Sequence, residues 1–157
     1  MTESTHFSKS SQPLWQMIAI TVAVELGIIA LTFMLSDSQA GAELKNTMQA
    51  VKQKMGLPFL AVVVCLAAPV GEELIFRLAL PAVLEKVTKS RALAVGISSG
   101  LWGVGHAGRP INAALISLSG VNYSLLRYRS GSLWPTIGLH IVNNTLAFTA
   151  LVLGGVL

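Results

Sequence analysis

Five long apolar stretches make up most of this 157-residue chain and constrain its fold more than any other feature. Each is close to the roughly 20 residues that a helix needs to cross the hydrocarbon core of a bilayer. Hydrophobic residues account for 53% of the chain and charged residues for only 11%, which is too few to cover a water-exposed surface. This composition excludes a soluble globular enzyme and a disordered module. We expect an all-α, polytopic transmembrane bundle of about five spans.

The expected spans are residues 14–36, 57–84, 92–108, 111–126 and 133–157. The third and fourth are separated only by Arg109 and Pro110, which predicts a helical hairpin. The first is long for a cleaved signal peptide and contains Glu25, so we expect it to be retained as a helix. A chain of this length predicts a single integral-membrane domain over residues 1–157.

The segment 43–56 between the first two spans has a different character. Its apolar residues Leu44, Met48, Val51 and Met55 recur at the spacing of one helix face, and lysines occupy other faces. The segment is too short and too charged to span a membrane. It predicts a short amphipathic helix lying in the membrane interface. A solvated helix packed on the end of the bundle is the alternative.

The basic residues give the chain a formal net charge of +4 but do not cluster as they would in a nucleic-acid surface. Their positions at the ends of the apolar stretches indicate topology instead. More of them lie on the side of the N-terminus than on the other side, which favours a cytoplasmic N-terminus. We expect an integral protein of a prokaryotic cell membrane.

Three ionisable residues interrupt the second apolar stretch, where a charge at the bilayer centre costs at least about 2.5 kcal/mol. Glu73 and Arg77 are spaced four residues apart and so share a helix face on which they can pair. Glu72 is rotated by about 100° from Glu73 and is free to face another helix. An ion pair that only fixes helix register would explain Glu73 and Arg77, but it leaves Glu72 unexplained.

Two further polar clusters lie at a similar depth. Trp102 and His106 are one helical turn apart near the end of the third stretch, and His140 and Asn144 are one turn apart in the fifth. At 1.5 Å per residue, Glu72, His106 and His140 all lie roughly 13–23 Å from the same membrane face. We therefore expect a carboxylate, two imidazoles and an amide to meet within the bundle.

This set of side chains suits the hydrolysis of a peptide bond by an activated water. Glu72 beside a neutral His106 can deprotonate a water, and His140 and Asn144 can donate hydrogen bonds to the developing oxyanion. The sequence places no serine or cysteine as an obvious nucleophile in the cluster. Two histidines and a glutamate are also a familiar zinc set, although no HExxH spacing is present, so zinc stays open as the alternative to a cofactor-free site.

The three clusters resemble, in order, the motifs of the CAAX protease and bacteriocin-processing family (CPBP, also called Abi). The run GluGluLeuIlePheArg from Glu72 matches the family's EExxxR motif, and HisIleValAsnAsn from His140 resembles HxxxN. TrpGlyValGlyHis, ending at His106, resembles FxxxH, with Trp102 in place of the usual phenylalanine. Glu72, His106 and His140 follow one another at intervals of 34 residues. The resemblance covers about residues 57–151, the expected catalytic core.

The resemblance implies a metal-independent intramembrane glutamic endopeptidase. By analogy Glu72 and His106 activate the water, and His140 and Asn144 form the oxyanion hole. Glu73 and Arg77 would orient the site, and the large aromatic Trp102 would form part of the cavity wall.

Other functions stay open at this point. A non-catalytic bacteriocin self-immunity or peptide-binding protein of the same fold would suit the small size of the chain. A proton-coupled transporter would also use buried carboxylates, but the chain shows no inverted repeat. The expected partners are a peptide or protein substrate in the membrane, the lipid bilayer itself and a second copy of the chain.

Overall fold

The structure, a computed structural model, describes residues 11–35, 38–106, 110–155 and 157, with the side chains of all but 33 and 38–44. Nearly all of this part is helical, and no strand occurs in it, so the all-α prediction is confirmed. The helices are α1 Leu14–Leu35, α2 Ser38–Met55, α3 Leu57–Thr88, α4 Arg91–His106, α5 Pro110–Ser130 and α6 Trp134–Leu153.

The helices follow the expected spans but continue further at their basic ends. The expected second and fourth spans end at residues 84 and 126, and the helices that contain them continue to Thr88 and Ser130. Basic side chains in a last turn interact favourably with the helix dipole, so these residues belong to the helices and not to the connections. The hairpin turn at Arg109 and the expected ends at residues 36 and 108 lie outside the described residues.

Three of the described helices are long and apolar enough to cross a membrane, judged by length and composition. They comprise Leu14–Thr32 of α1, all of α3 and all of α6. The other two long segments differ in kind: α4 has only 16 residues, and α5 carries many polar side chains. A total of five spans therefore stays a prediction.

The distribution of side chains is inverted relative to that of a soluble protein. Large apolar side chains face outwards along the long helices, and Leu26, Ile75 and Leu146 are each more than half exposed. Among the most buried side chains are the polar Glu73 and Thr136, both 0% exposed. This is the pattern expected when the surrounding solvent is hydrocarbon, because polar groups are then stable only inside the bundle.

Helix α5 occupies the centre of the bundle, packed along α4 and α1 and against parts of α3 and α6. Two of its serines are satisfied there by backbone carbonyls of the same helix. Ser117 Oγ donates to Ala113 O at 2.7 Å, and Ser124 Oγ donates to Gly120 O at 2.8 Å. Its low hydropathy thus reflects a position among other helices and not exposure to water.

Helix α2 begins at Ser38, five residues before the expected start of the amphipathic segment. Part of its apolar face packs on the bundle, where Met48 is buried against Leu60 and Phe148 with Val51 beside them. Met55, expected on the same face, is 55% exposed. The side chain of Leu44 lies outside the described residues. These contacts favour packing against the bundle for the C-terminal half of α2. The location of α2 in the membrane interface stays a prediction.

Helix α3 contains two turns that are wider than an α-helix, at Val63–Ala67 and Leu74–Ala79. A proline follows two residues after each, at Pro69 and Pro81. Proline has no N–H, and its ring collides with the carbonyl four residues earlier, so the preceding turn must open. Wide turns of this kind occur frequently at functional sites. In this chain they flank the segment that carries Glu72.

Each wide turn leaves one carbonyl without its helical donor, and a neighbouring helix supplies the replacement. In the first turn the N–H of Ala68 bonds to Val63 O, so the next donor in the series, for Val64 O, would be Pro69. Asn144 Nδ2 donates to Val64 O instead, at 3.0 Å. In the second turn the missing donor for Phe76 O is Pro81, and Ser98 Oγ donates to it at 2.7 Å. These two bonds tie α3 to α6 and to α4.

Helices α4 and α5 approach each other closely at two glycines. A Cβ on Gly103 would overlap Ser117 Oγ and the carbonyl oxygen of Ala113, and one on Gly120 would lie 2.9 Å from Ser99 Cβ. Small residues commonly permit such approaches between membrane helices. Gly100, by contrast, has open space around its Cβ position.

We predict that Gly103→Ala lowers the free energy of unfolding by about 1–3 kcal/mol, because the methyl group forces α4 away from α5. Gly100→Ala, one turn earlier on the same helix, is the matched control and should be neutral or slightly stabilising. The measurement is the unfolding midpoint of the purified protein in mixed detergent micelles. Equal midpoints for the two variants would contradict the predicted close approach.

Candidate active site

One oxygen of Glu72 is contacted by side chains from two other helices. Trp102 Nε1 of α4 donates to Glu72 Oε2 at 2.8 Å. His106 Nε2, also from α4, lies 3.3 Å from the same oxygen, and His140 Nε2 of α6 lies 3.7 Å from it. Three residues predicted from two other motifs therefore surround the carboxylate of Glu72.

The neighbouring Glu73 faces the other side of His140. Its Oε1 lies 2.9 Å from His140 Nδ1 and 3.5 Å from Arg77 Nε, and its side chain is fully buried. The pairing of Glu73 with Arg77 that their spacing predicts is thus present. Because His140 contacts Glu73 through Nδ1 and Glu72 through Nε2, its ring bridges the two carboxylates.

The guanidinium of Arg77 is almost completely buried and relies on few partners. Its three nitrogens make no hydrogen bond to any described residue. The Arg77 Cζ lies 4.1 Å from the centre of the Trp102 ring, close enough for a cation–π interaction. The charge of Glu73 and the face of Trp102 are therefore the main stabilising contacts of this cation.

The hydrogen bonds of the two histidines determine where protons can lie. His106 Nδ1 is 2.8 Å from the carbonyl oxygen of Trp102, which can only accept, so Nδ1 carries the proton. In a neutral ring the lone pair of Nε2 then faces Glu72 Oε2, which is also an acceptor when ionised. Contact between Glu72 and His106 thus requires a shared proton or a bridging water. Such a pair is suited to taking a proton from water and returning it.

Asn144 lies at the edge of the site, with Nδ2 bonded to the Val64 carbonyl. The amide nitrogen carries two hydrogens, so a second hydrogen is available to another acceptor. The hydrogen bond to the wide turn of α3 therefore determines the position of Asn144. The HxxxN spacing does not predict this bond.

A cavity of about 230 Å³ lies beside these residues, with a lining that is part polar and part apolar. His106, His140, Asn144 and Trp102 contribute to it. Glu25, Ser119, Tyr123 and Asn143 also line it, although none of them was predicted as part of the site. Glu25 had a signal in the sequence, a charge within an apolar stretch. The other three are ordinary polar residues without a distinctive spacing.

In the part of the chain that the structure describes, no three His, Cys, Asp or Glu side chains are arranged to hold a metal ion. The sequence had left zinc open as an alternative. The geometry gives that alternative no ligand set, and metal independence itself stays a prediction.

A protein-family model described as type II CAAX prenyl endopeptidase Rce1-like matches residues 54–146, more than half of the chain. The chain belongs to this family. All three motifs of the candidate site lie within the Rce1-like match. Searches of curated proteins and of solved structures found no match. Together with its three long apolar helices, membership of the Rce1-like family identifies the chain as an integral membrane protein.

Proposed function

We propose that this protein is a metal-independent intramembrane endopeptidase that cleaves peptides or proteins within the bilayer. The observation that supports this most directly is the convergence of Trp102, His106 and His140 on Glu72 Oε2 beside a cavity. The Glu72 carboxylate and the His106 imidazole can together act as a general base that accepts a proton from water. The family assignment supports the same class of reaction.

In the proposed reaction a water bound beside Glu72 and His106 loses a proton to this pair as its oxygen attacks the substrate carbonyl carbon. The new C–O bond produces a tetrahedral oxyanion. The pair then returns the proton to the leaving nitrogen as the C–N bond breaks. The products are a carboxylic acid and an amine, and the pair regains its starting protonation.

The oxyanion would accept hydrogen bonds from His140 and Asn144. Asn144 would use the amide hydrogen that is not bonded to Val64 O. His140 can donate from Nε2 while Nδ1 donates to Glu73 only as an imidazolium, whose charge the Glu73 carboxylate balances. Preorganised donors of this kind stabilise charge in a site that excludes bulk water. Glu73 and Arg77 therefore act through His140 and Trp102 as positioning residues.

The decisive experiment compares new protein N-termini in host membranes that express the wild type or Glu72→Gln at equal levels. We expect a set of termini that appears only with the wild type, and these termini also identify the substrates. Identical sets from two folded and inserted proteins would overturn the proposal. In that case, protection of cells from a peptide toxin by the Glu72→Gln variant would indicate an immunity protein.

We further predict that Trp102→Phe lowers kcat/KM by about tenfold. Phenylalanine, the residue usual in the family motif, keeps an aromatic ring beside Arg77 but cannot donate the hydrogen bond to Glu72 Oε2. A hydrogen bond to a charged group contributes about 1.5–3 kcal/mol, enough for an effect of this size. Cleavage kinetics on a substrate from the N-terminus comparison provide the measurement. Unchanged kinetics would show that the indole N–H has no role in positioning the carboxylate.

A further inference from the structure

Glu25 is a buried carboxylate that the proposed reaction does not use. It lies on α1, which precedes the family match, about 17 Å along the helix from its first residue Leu14. It is 9% exposed and lines the same cavity as His106 and His140. An ionisable residue at this depth is expensive and is generally functional.

Within the part of the chain that the structure describes, the contacts of Glu25 include no basic side chain. Asn122 Nδ2 donates to Glu25 Oε2 at 3.2 Å and to the backbone oxygen of Thr21 at 2.9 Å. No Lys, Arg or His within the described ranges forms an ion pair with Glu25. The Asn122 bond ties α1 to α5, but a neutral amide at position 25 could accept it equally well. The hydrogen bond with Asn122 therefore explains why residue 25 is polar, but it does not explain why residue 25 is acidic.

Of the carboxylates around the cavity, Glu72 and Glu73 each have a basic neighbour. Glu25, Glu72 and Glu73 contribute three carboxylates, and Arg77 is the one guanidinium among the described residues of the site. Arg77 Nε lies 3.5 Å from Glu73 Oε1, and the Nε2 atoms of His106 and His140 lie 3.3 and 3.7 Å from Glu72 Oε2. Glu25 is the carboxylate that remains. In a medium of low dielectric constant it would strongly attract a cationic group of a ligand.

A groove of about 100 Å³ between α1 and α6 gives such a group a route from the bilayer. Its outer lining is apolar and largely exposed, with Leu26 at 61% and Leu146 at 66%. Glu25, Tyr123 and Asn143 line both this groove and the site cavity. A peptide entering between the two helices would thus pass Glu25 on its way to Glu72.

We propose that Glu25 determines substrate specificity by binding a lysine or arginine side chain close to the scissile bond. This inference rests on the proposed endopeptidase function and names a substrate class for it: membrane-embedded peptides with a basic residue near the cleavage site. Glu25 acts in binding and takes no part in the proton transfers.

The test uses the purified full-length protein and a fluorogenic peptide built on a cleavage site from the N-terminus comparison. Lysine or norleucine is placed in turn at each position flanking the bond, because norleucine keeps most of the lysine stem and lacks the charge. At one position we expect wild type to prefer lysine by at least about tenfold in kcat/KM. Glu25→Gln, which keeps the acceptor for Asn122, should reduce this ratio to about one.

Glu85→Gln, which removes a carboxylate at the far end of α3, is the matched control and should keep the wild-type ratio. Glu25→Asp retains the charge and should keep part of the preference. A lysine-to-norleucine ratio that survives in Glu25→Gln would overturn the inference, as would the absence of any preference in wild type. Both outcomes are distinct from failure of the proposed function, in which wild type and Glu72→Gln release the same termini.

Discussion

A Glu72→Gln variant is expected to lose at least about a thousandfold in kcat while folding normally. Glutamine occupies the same space and still accepts the hydrogen bond from Trp102 Nε1, but it cannot take a proton from water. General base catalysis contributes about 10²–10⁴-fold, and here the same group also returns the proton to the leaving nitrogen. The measurement is the cleavage rate of a substrate from the N-terminus comparison by purified protein in detergent.

The control for this experiment is Glu85→Gln, which removes a carboxylate from the same helix. Glu85 pairs with Arg91 at 3.2 Å near the helix end, remote from the three motifs. Its activity should match that of the wild type. A Glu72→Gln protein that keeps a kcat within tenfold of the wild type would exclude Glu72 as the base.

The second large effect is expected from Glu73→Gln, this time on stability. Glutamine still offers an acceptor to His140 Nδ1 but leaves the buried charge of Arg77 without an opposite charge. Removing one partner of a buried ion pair costs about 3–5 kcal/mol, and Arg77 has no described hydrogen bond that could compensate. The free energy of unfolding in mixed micelles measures the loss, and activity should fall with it.

Two comparisons test the cause of this loss. Glu85→Gln breaks a partly exposed pair and should cost less than about 1 kcal/mol. The double variant Glu73→Gln with Arg77→Met removes both charges and should recover part of the stability lost by Glu73→Gln alone. If the double variant were less stable than the single variant, the unpaired charge of Arg77 would not be the cause.

Much of the site could be predicted because charges are so rare in this chain. Glu72, Glu73 and Arg77 stand out within an apolar stretch, and helical geometry alone brings His106 and His140 to the same depth. The orientations of the side chains could not be predicted in this way. Trp102 was expected only to form part of the cavity wall, but it also donates a hydrogen bond to Glu72. This bond depends on the angle at which α4 packs on α3, which cannot be inferred from the spacing of residues in the sequence.

The ends of the helices were predicted less closely, and the number of spans stays a prediction, for two physical reasons. Basic residues near Thr88 and Ser130 indicate a loop when charge is taken as a sign of water, yet they also stabilise the last turn of a helix. The polarity of α5 reflects its central position, where Ser117 and Ser124 bond to its own backbone. Hydropathy cannot distinguish such a helix from a segment in water.

The two wide turns of α3 have a consequence for biogenesis. A helix that enters the bilayer alone must satisfy its own backbone, and α3 cannot, because Val64 O and Phe76 O have lost their donors to prolines. Ser98 supplies one donor as soon as α4 follows, but Asn144 is synthesised only after α5. The segment that carries Glu72 therefore completes its hydrogen bonding only after α6 has been synthesised, so the order of translation delays assembly of the site until α6 packs against α3.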